Sequence, residues 1–204
     1  MTTIFLMRHG QTEWNVAERF QGSGDSPLTD LGKQEALKAG ERLKVTKLSA
    51  IYASPRQRAM ETAGLVASWH QLPVIPLPDV SEISLGSWEG KHYEEIRTID
   101  PTGYEAFFRQ PEAFQGTDGG EDFADVRQRA VNALEALANK HTNTKILVVS
   151  HAITIRVLLT HYLNCSINHL WEVAKIRQTS LSEIRFNAKG IQVGLLGCTA
   201  HLDE

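Results

Sequence analysis

The chain has 204 residues, 42% of them hydrophobic and 22% charged, with a formal net charge of −3 at pH 7. That is a globular composition with room for one good core and too little chain for two ordinary domains. The near-balanced charge excludes the strongly basic surface that nucleic acid or an anionic membrane would need, so an anion site has to be built locally. No run approaches the roughly 20 apolar residues that span a bilayer, and nothing resembles a signal peptide. The two cysteines, Cys165 and Cys198, have no CxxC or metal-type spacing. A reducing, cytoplasmic setting is therefore expected.

Taken in chain order, Ile4-Phe5-Leu6-Met7 is a short apolar run that suits a strand buried on both faces. A helix is predicted after Thr29, where capping side chains precede Leu31, Leu37 and Leu43. Residues 48 to 53 read as a second strand, and Ser54-Pro55 opens a helix running to about Trp69. The prolines between Pro73 and Pro78 allow only an edge strand or an extended connection. Residues 89 to 120 are the least regular, with short helical patterns at Tyr93 to Ile99 and Tyr104 to Gln110. A long amphipathic helix follows Gly119-Gly120-Glu121-Asp122, carrying Phe123, Val126, Ala130, Ala133 and Leu137 on one face. Residues 146 to 149 give a strong strand signal, a helix covers about 153 to 163, and residues 181 to 186 and 191 to 196 read as a terminal hairpin. The alternation predicts an α/β fold: one three-layer α/β/α domain over residues 1–204 with a mainly parallel sheet. Residues 89–120 are expected to form an insertion or lid over one end.

In open α/β sheets, ligands collect at the carboxyl ends of strands. The first strand is followed by Arg8-His9-Gly10, the second by Ser54-Pro55-Arg56-Gln57-Arg58, and the strand at 146 to 149 by Ser150-His151-Ala152. Ser81-Glu82-Ile83 can add a carboxylate. Guanidinium groups match phosphate oxygens and stay charged. A neutral imidazole can attack phosphorus, and Arg8 and Arg58 disfavour the imidazolium of His9. A second imidazole, protonated, can hold a phosphoryl oxygen. A carboxyl can give a proton to the leaving oxygen and take one from water. Singly, each residue has an ordinary explanation: the chain has 8 histidines, Arg56 and Arg58 could be a solvated helix-start pair, and Glu82 a surface acid. The constellation carries the argument.

Met7-Arg8-His9-Gly10-Gln11-Thr12-Glu13-Trp14-Asn15 resembles the signature of the histidine phosphatase superfamily, the phosphoglycerate mutase-like proteins. The resemblance continues in order through Gln21-Gly22, Asp25 to Thr29, Ser54 to Ala63, Glu82 to Gly90, Gly119-Gly120-Glu121 and Val149-Ser150-His151. It implies a phosphoglycerate mutase-like fold, with His9 as the phosphorylated nucleophile and Glu82 as the proton donor. It further implies that Arg8, Asn15, Arg58 and His151 hold the phosphoryl group, that Gln21 and Gly22 line the pocket edge, and that neither metal nor cofactor is needed. Three departures stand out: Ala152 where glycine is usual, Glu35 where glutamine is common, and Ser23-Gly24 in place of a bulky residue, which would open the pocket mouth. Trp14, Phe20 and Trp88 are candidates to stack on substrate or to pack the pocket wall.

Mutases of this kind carry a basic cluster in a longer insertion. Here residues 91 to 116 hold only Lys91, Arg97 and Arg109 beside Tyr93, Tyr104, Phe107, Phe108 and Phe114. The expected activity is hydrolysis of small phosphate monoesters through a phosphohistidine, by a monomer or homodimer without nucleic-acid or membrane partners. A cofactor-dependent phosphoglycerate mutase and a non-catalytic phosphate-reading module are the alternatives. A metal site of His9, His151 and Glu82 is disfavoured, because the arginines would repel a cation.

Overall fold

A computed structural model of the chain describes residues 1–202. The apolar run near the start forms β1 (Thr2–Arg8), with Ile4, Leu6 and Met7 wholly buried. A short helix α1 (Glu13–Val16) and the longer α2 (Asp30–Leu43) follow. Thr29 caps α2 as expected, its hydroxyl oxygen accepting from the Gly32 N–H at 3.0 Å. Its buried face differs from the prediction. Ala36, Ala39, Gly40 and Leu43 point inward, while Leu31 and Leu37 are 51% and 42% exposed. Small residues let α2 lie close to its neighbour, a signal that a search for large apolar side chains passes over.

The strand β2 (Ala50–Ala53) leads into α3 (Gln57–Ala67). The helix begins two residues after Pro55, and its N-cap, Arg56, makes no side-chain cap. The Asp25 carboxylate takes that place from another loop, accepting from the Gln57 and Arg58 backbone N–H groups. The proline-rich stretch forms β3 (Val74–Pro76), at the sheet edge as proline requires. Residues 89 to 120 supply α4 (Tyr93–Ile99) and α5 (Pro101–Arg109). A capping box between Asp122 and Asp125 starts α6 (Phe123–Lys140). The chain then runs through β4 (Lys145–Ser150), α7 (Ala152–Tyr162), β5 (Leu181–Asn187) and β6 (Gly190–Val193).

The sheet order is β3-β2-β4-β1-β5-β6. The first four strands are parallel, and β5 and β6 add an antiparallel edge. Successive residues of a strand face opposite sides, and the core divides accordingly. Ile4, Leu6, Ile146 and Val148 pack under α6 and α7. Phe5, Met7, Leu147 and Val149 pack under α2 and α3. This is the expected single three-layer α/β/α domain. A third cluster, rich in aromatic residues, joins Trp88, Ile96, Phe107 and Phe114 to the N-terminal halves of α6 and α7 through Phe123, Val126, Ile153 and Val157.

The two kinds of leucine on α2 separate in stability. Leu43→Ala, at a buried site, costs about 2–5 kcal/mol, whereas Leu31→Ala changes stability by less than about 0.5 kcal/mol. Urea unfolding of both variants reads the difference.

Candidate active site

Strand register brings the two key imidazoles together. In the parallel β1–β4 pair, Arg8 lies opposite Ser150, and the His9 N–H donates to the Ser150 carbonyl at 3.0 Å. His9 and His151 are therefore the first residues beyond two adjacent strand ends, and their ring centroids are 5.2 Å apart. β2 ends beside them: Ala53 pairs with Val149, and the Ser54 N–H donates to the Val149 carbonyl at 2.9 Å. Arg58 comes from the first turn of α3, just past that end. The Thr179 N–H, from the approach to β5, donates to the carbonyls of Arg8 and His9.

His9 is 3% exposed, and its Nδ1 lies 2.7 Å from the Gly10 carbonyl oxygen. A carbonyl only accepts, so Nδ1 carries the hydrogen and Nε2 keeps its lone pair. This turn needs glycine at position 10, since a Cβ there would lie 2.4 Å from the Gly32 carbonyl oxygen. The His9 pKa is held well below the ordinary 6.5, first by burial, then by Arg58 and Arg8. His151 is wholly buried, its pKa is also well below 6.5, and both its ring nitrogens lack a partner. Burial is again the leading cause, followed by Arg58, His9 and Arg8. Burial and the neighbouring cations thus disfavour the protonated form of both rings. His151 also stands against the His9 ring and is not part of the cavity lining.

The cationic groups are anchored by backbone oxygens. Arg8 donates from Nη1 to the Ile176 carbonyl at 2.9 Å, and its buried Nε has no partner. Arg58, 1% exposed, donates to the carbonyls of Gly22 and Gly24 and pairs with Asp25 at 3.0 Å. Its Nε is likewise unpartnered. The loop from Gln21 to Asp25 is thus wrapped around Arg58, and Gly22 holds φ at +51°, where a Cβ would strike Glu89. Burial lowers the pKa of both guanidiniums.

Asn15 accepts from the Thr12 N–H at 3.1 Å with its side-chain oxygen, which leaves its NH2 donors available. Gln21 is buried, with Oε1 unpartnered. The Glu82 carboxylate lies at the N-terminus of α7. It accepts from the backbone N–H groups of Ile153 and Thr154 and from the Thr154 hydroxyl. Its turn is braced from outside. Arg129 donates to the carbonyls of Asp79, Ser81 and Glu82 and pairs with Glu121, whose carboxylate also accepts from the Ser84 N–H.

A cavity of about 230 Å³ receives Arg8, His9, Asn15, Gln21, Gly22, Arg58 and Glu82 on its wall. Of the residues expected here from the sequence, His151 alone is not on the lining, and its ring stands against His9. Phe20 lines the cavity, Trp88 is buried beside it, and Trp14 is not part of the wall. Arg19, Tyr93, Arg156 and Trp171 line it without having been expected as site residues. Arg156 had a readable signal, since it stands one helical turn beyond Ala152 on the helix that follows His151.

Two of the departures from the family pattern take part in hydrogen bonds. The Ser23 N–H and hydroxyl both donate to the Glu89 carboxylate. Glu35 is half-buried and accepts from the Gln11 N–H at 2.9 Å, so it supports the loop after His9. Its pKa is raised by burial. Among the described residues no group of His, Cys, Asp or Glu side chains has the arrangement of a metal site.

The family model of the histidine phosphatase superfamily (branch 1) matches residues 4–199. The chain belongs to that superfamily. A metal-independent phosphoserine phosphatase of Arabidopsis thaliana is 37% identical over 78% of this chain and 67% of its own length. Phosphoglycerate mutase-like protein 4 of the same plant is 34% identical over 98% of this chain and 87% of its own. Among solved structures, YhfR of Bacillus stearothermophilus superposes with a TM-score of 0.95 at 37% identity, covering 99% of this chain and 100% of that one. A phosphoserine phosphatase mutant of Entamoeba histolytica in complex with phosphoserine has a TM-score of 0.89 at 27% identity, with coverage of 99% and 100%. The shared architecture places this histidine phosphatase chain among phosphoglycerate mutase-like folds.

The burial and charge around the two rings make a direct prediction. Burial and the neighbouring cations disfavour both imidazolium forms, so neither His9 nor His151 takes up a proton as pH falls from about 8 to about 6. Imidazole NMR titration, assigned with His9→Ala and His151→Ala, tests this. A midpoint near 6.5 for either ring would contradict the geometry.

Proposed function

We propose that this chain is a metal-independent phosphatase that hydrolyses small phosphate monoesters through a phosphohistidine on His9. The carrying observation is the buried, neutral His9 ring, with Nδ1–H tied to Gly10 and Nε2 left to react. O-phosphoserine is the first substrate to test, because relatives across most of the chain are named for it.

In this reading the phosphoryl group enters the cavity against the guanidiniums of Arg8 and Arg58 and the NH2 of Asn15, which donate to its oxygens, with Gln21 at the edge. His9 Nε2 attacks phosphorus as the P–O bond to the leaving group breaks. Glu82, carrying a proton, passes it to the leaving oxygen, and the alcohol departs. Water then attacks the phosphohistidine, Glu82 takes its proton, and inorganic phosphate leaves with His9 neutral again. Preorganised positive charge stabilises both transfers without rearranging solvent. His151 lies against the His9 ring, with both of its ring nitrogens unpartnered. A phosphoryl dianion arriving beside the rings would favour protonating His151, which lets it hold a phosphoryl oxygen only once substrate is bound.

Residues 89 to 120 supply one wall of the cavity through Tyr93, Phe107 and Phe108. Phe107 is 1% exposed and touches Phe20, Trp88, Phe114 and Trp171, which favours a fixed wall over a swinging flap. That wall brings no arginine or lysine to the cavity, in keeping with phosphatase over mutase chemistry.

Phosphate release from p-nitrophenyl phosphate and O-phosphoserine in excess chelator tests the proposal. Wild type is expected to turn over, and His9→Ala to lose activity by at least about a thousandfold. Activity that needs an added metal, or that survives in His9→Ala, would contradict it. Interconversion of phosphoglycerates without phosphate release would move the chain to the mutases.

A further inference from the structure

The reacting group accounts for Arg8 and Arg58, yet two more guanidiniums line the same cavity. Arg19 comes from the loop before Phe20 and donates to the Gly90 carbonyl at the mouth. Arg156 comes from α7 and faces the part of the cavity walled by Trp171 and Ile153. Its Nη1 donates to the carbonyls of Leu170 and Trp171 at 3.2 and 3.0 Å, and the guanidinium lies 5.4 Å from the centre of a Trp171 ring. Its Nε is buried without a partner. No carboxylate of the described residues pairs with it, and the charges it senses are Arg8, a cation, and Glu82.

A part-buried cation beside other cations is an unfavourable arrangement unless something anionic joins it. The reacting phosphoryl group is already met by Arg8, Arg58 and the His9 loop. Arg156 is set on a helix, with two carbonyls holding Nη1 and no hydrogen bond on the Nε and Nη2 edge of its planar fork. That presentation suits a carboxylate, which accepts two parallel N–H bonds from such a fork. The cavity, about 230 Å³, admits a phosphoryl group and a short carbon skeleton. Phe107, Phe108 and Trp171 would pack against that skeleton.

We propose that Arg156 is the specificity-determining residue of this site, pairing with a carboxylate on the leaving group, so that the preferred substrates are phosphate esters of small hydroxy or amino acids. This rests on the phosphatase reading above and deepens it. A purely structural Arg156 would only tie down the loop carrying Leu170 and Trp171, and its loss would then affect every ester alike. A residue that reads the carboxylate separates esters that have one from esters that lack one, because the substrate without it leaves a buried donor unpaired.

The test compares kcat and KM for O-phosphoserine and O-phosphoethanolamine, which is the same ester without the carboxylate, with p-nitrophenyl phosphate as a general monoester. Wild type is expected to favour phosphoserine by at least about tenfold in kcat/KM. In Arg156→Gln that preference falls by about tenfold, mostly through KM, and Arg156→Lys restores part of it. A wild-type ratio near one overturns the proposal whatever the variants do, so a variant that fails to fold does not shield it. A ratio in Arg156→Gln within twofold of wild type also overturns it. In either case turnover of p-nitrophenyl phosphate by wild type leaves the phosphatase reading standing. Absence of turnover with all three esters overturns both.

Discussion

Buried positive charge that nearby carboxylates only partly offset governs this site. Arg8 and Arg58 are buried at the carboxyl edge of the sheet, where Asp25 pairs with Arg58 at 3.0 Å and Arg8 is held by the Ile176 carbonyl. Two imidazoles lie against them, and burial first, then the charge of Arg58, disfavours their protonated forms. Backbone oxygens of Gly22, Gly24 and Ile176 satisfy part of each guanidinium, and the remaining donors have no protein partner. Such a site is preorganised for a dianion. Burial, joined by the same field that attracts phosphate, favours the unprotonated form of His9 that can attack it.

The scaffold produces this field through register and helix starts. Pairing of Arg8 with Ser150 sets His9 beside His151. The loop from Gln21 to Asp25 caps α3 and wraps Arg58, so a single segment orders both the helix and its guanidinium. Glu82 is presented by a turn that Arg129 and Glu121 hold from the far side, while the first turn of α7 grips its carboxylate. The chemistry therefore depends on contacts well outside the cavity, and Arg129 is a positioning residue for the Glu82 turn.

Much of this was legible in the sequence. Four parallel strands were readable as short apolar runs or a proline-marked edge, and the polar residues immediately after them proved to share one end of the sheet. The helix faces were read less well where packing uses alanine and glycine, as on α2, because hydrophobic size is a poor guide to a close helix contact. Arg156, Arg19 and Arg129 escaped notice because a lone arginine on a helix or loop is ordinarily solvated. Only tertiary packing shows that one lines the cavity wall with an unpartnered nitrogen and another braces a turn. The depth of burial that lowers the His9 and His151 pKa values is likewise not written in local sequence.

The central claim is that His9 reacts through Nε2 because Gly10 holds Nδ1–H. The most direct test is to quench wild-type protein with alkali during turnover of O-phosphoserine and determine which nitrogen of which histidine carries phosphoryl, by peptide mass spectrometry and comparison with the two phosphohistidine isomers. The account predicts one phosphoryl group on His9 at Nε2. Phosphorylation at Nδ1, or on a different residue, would contradict it.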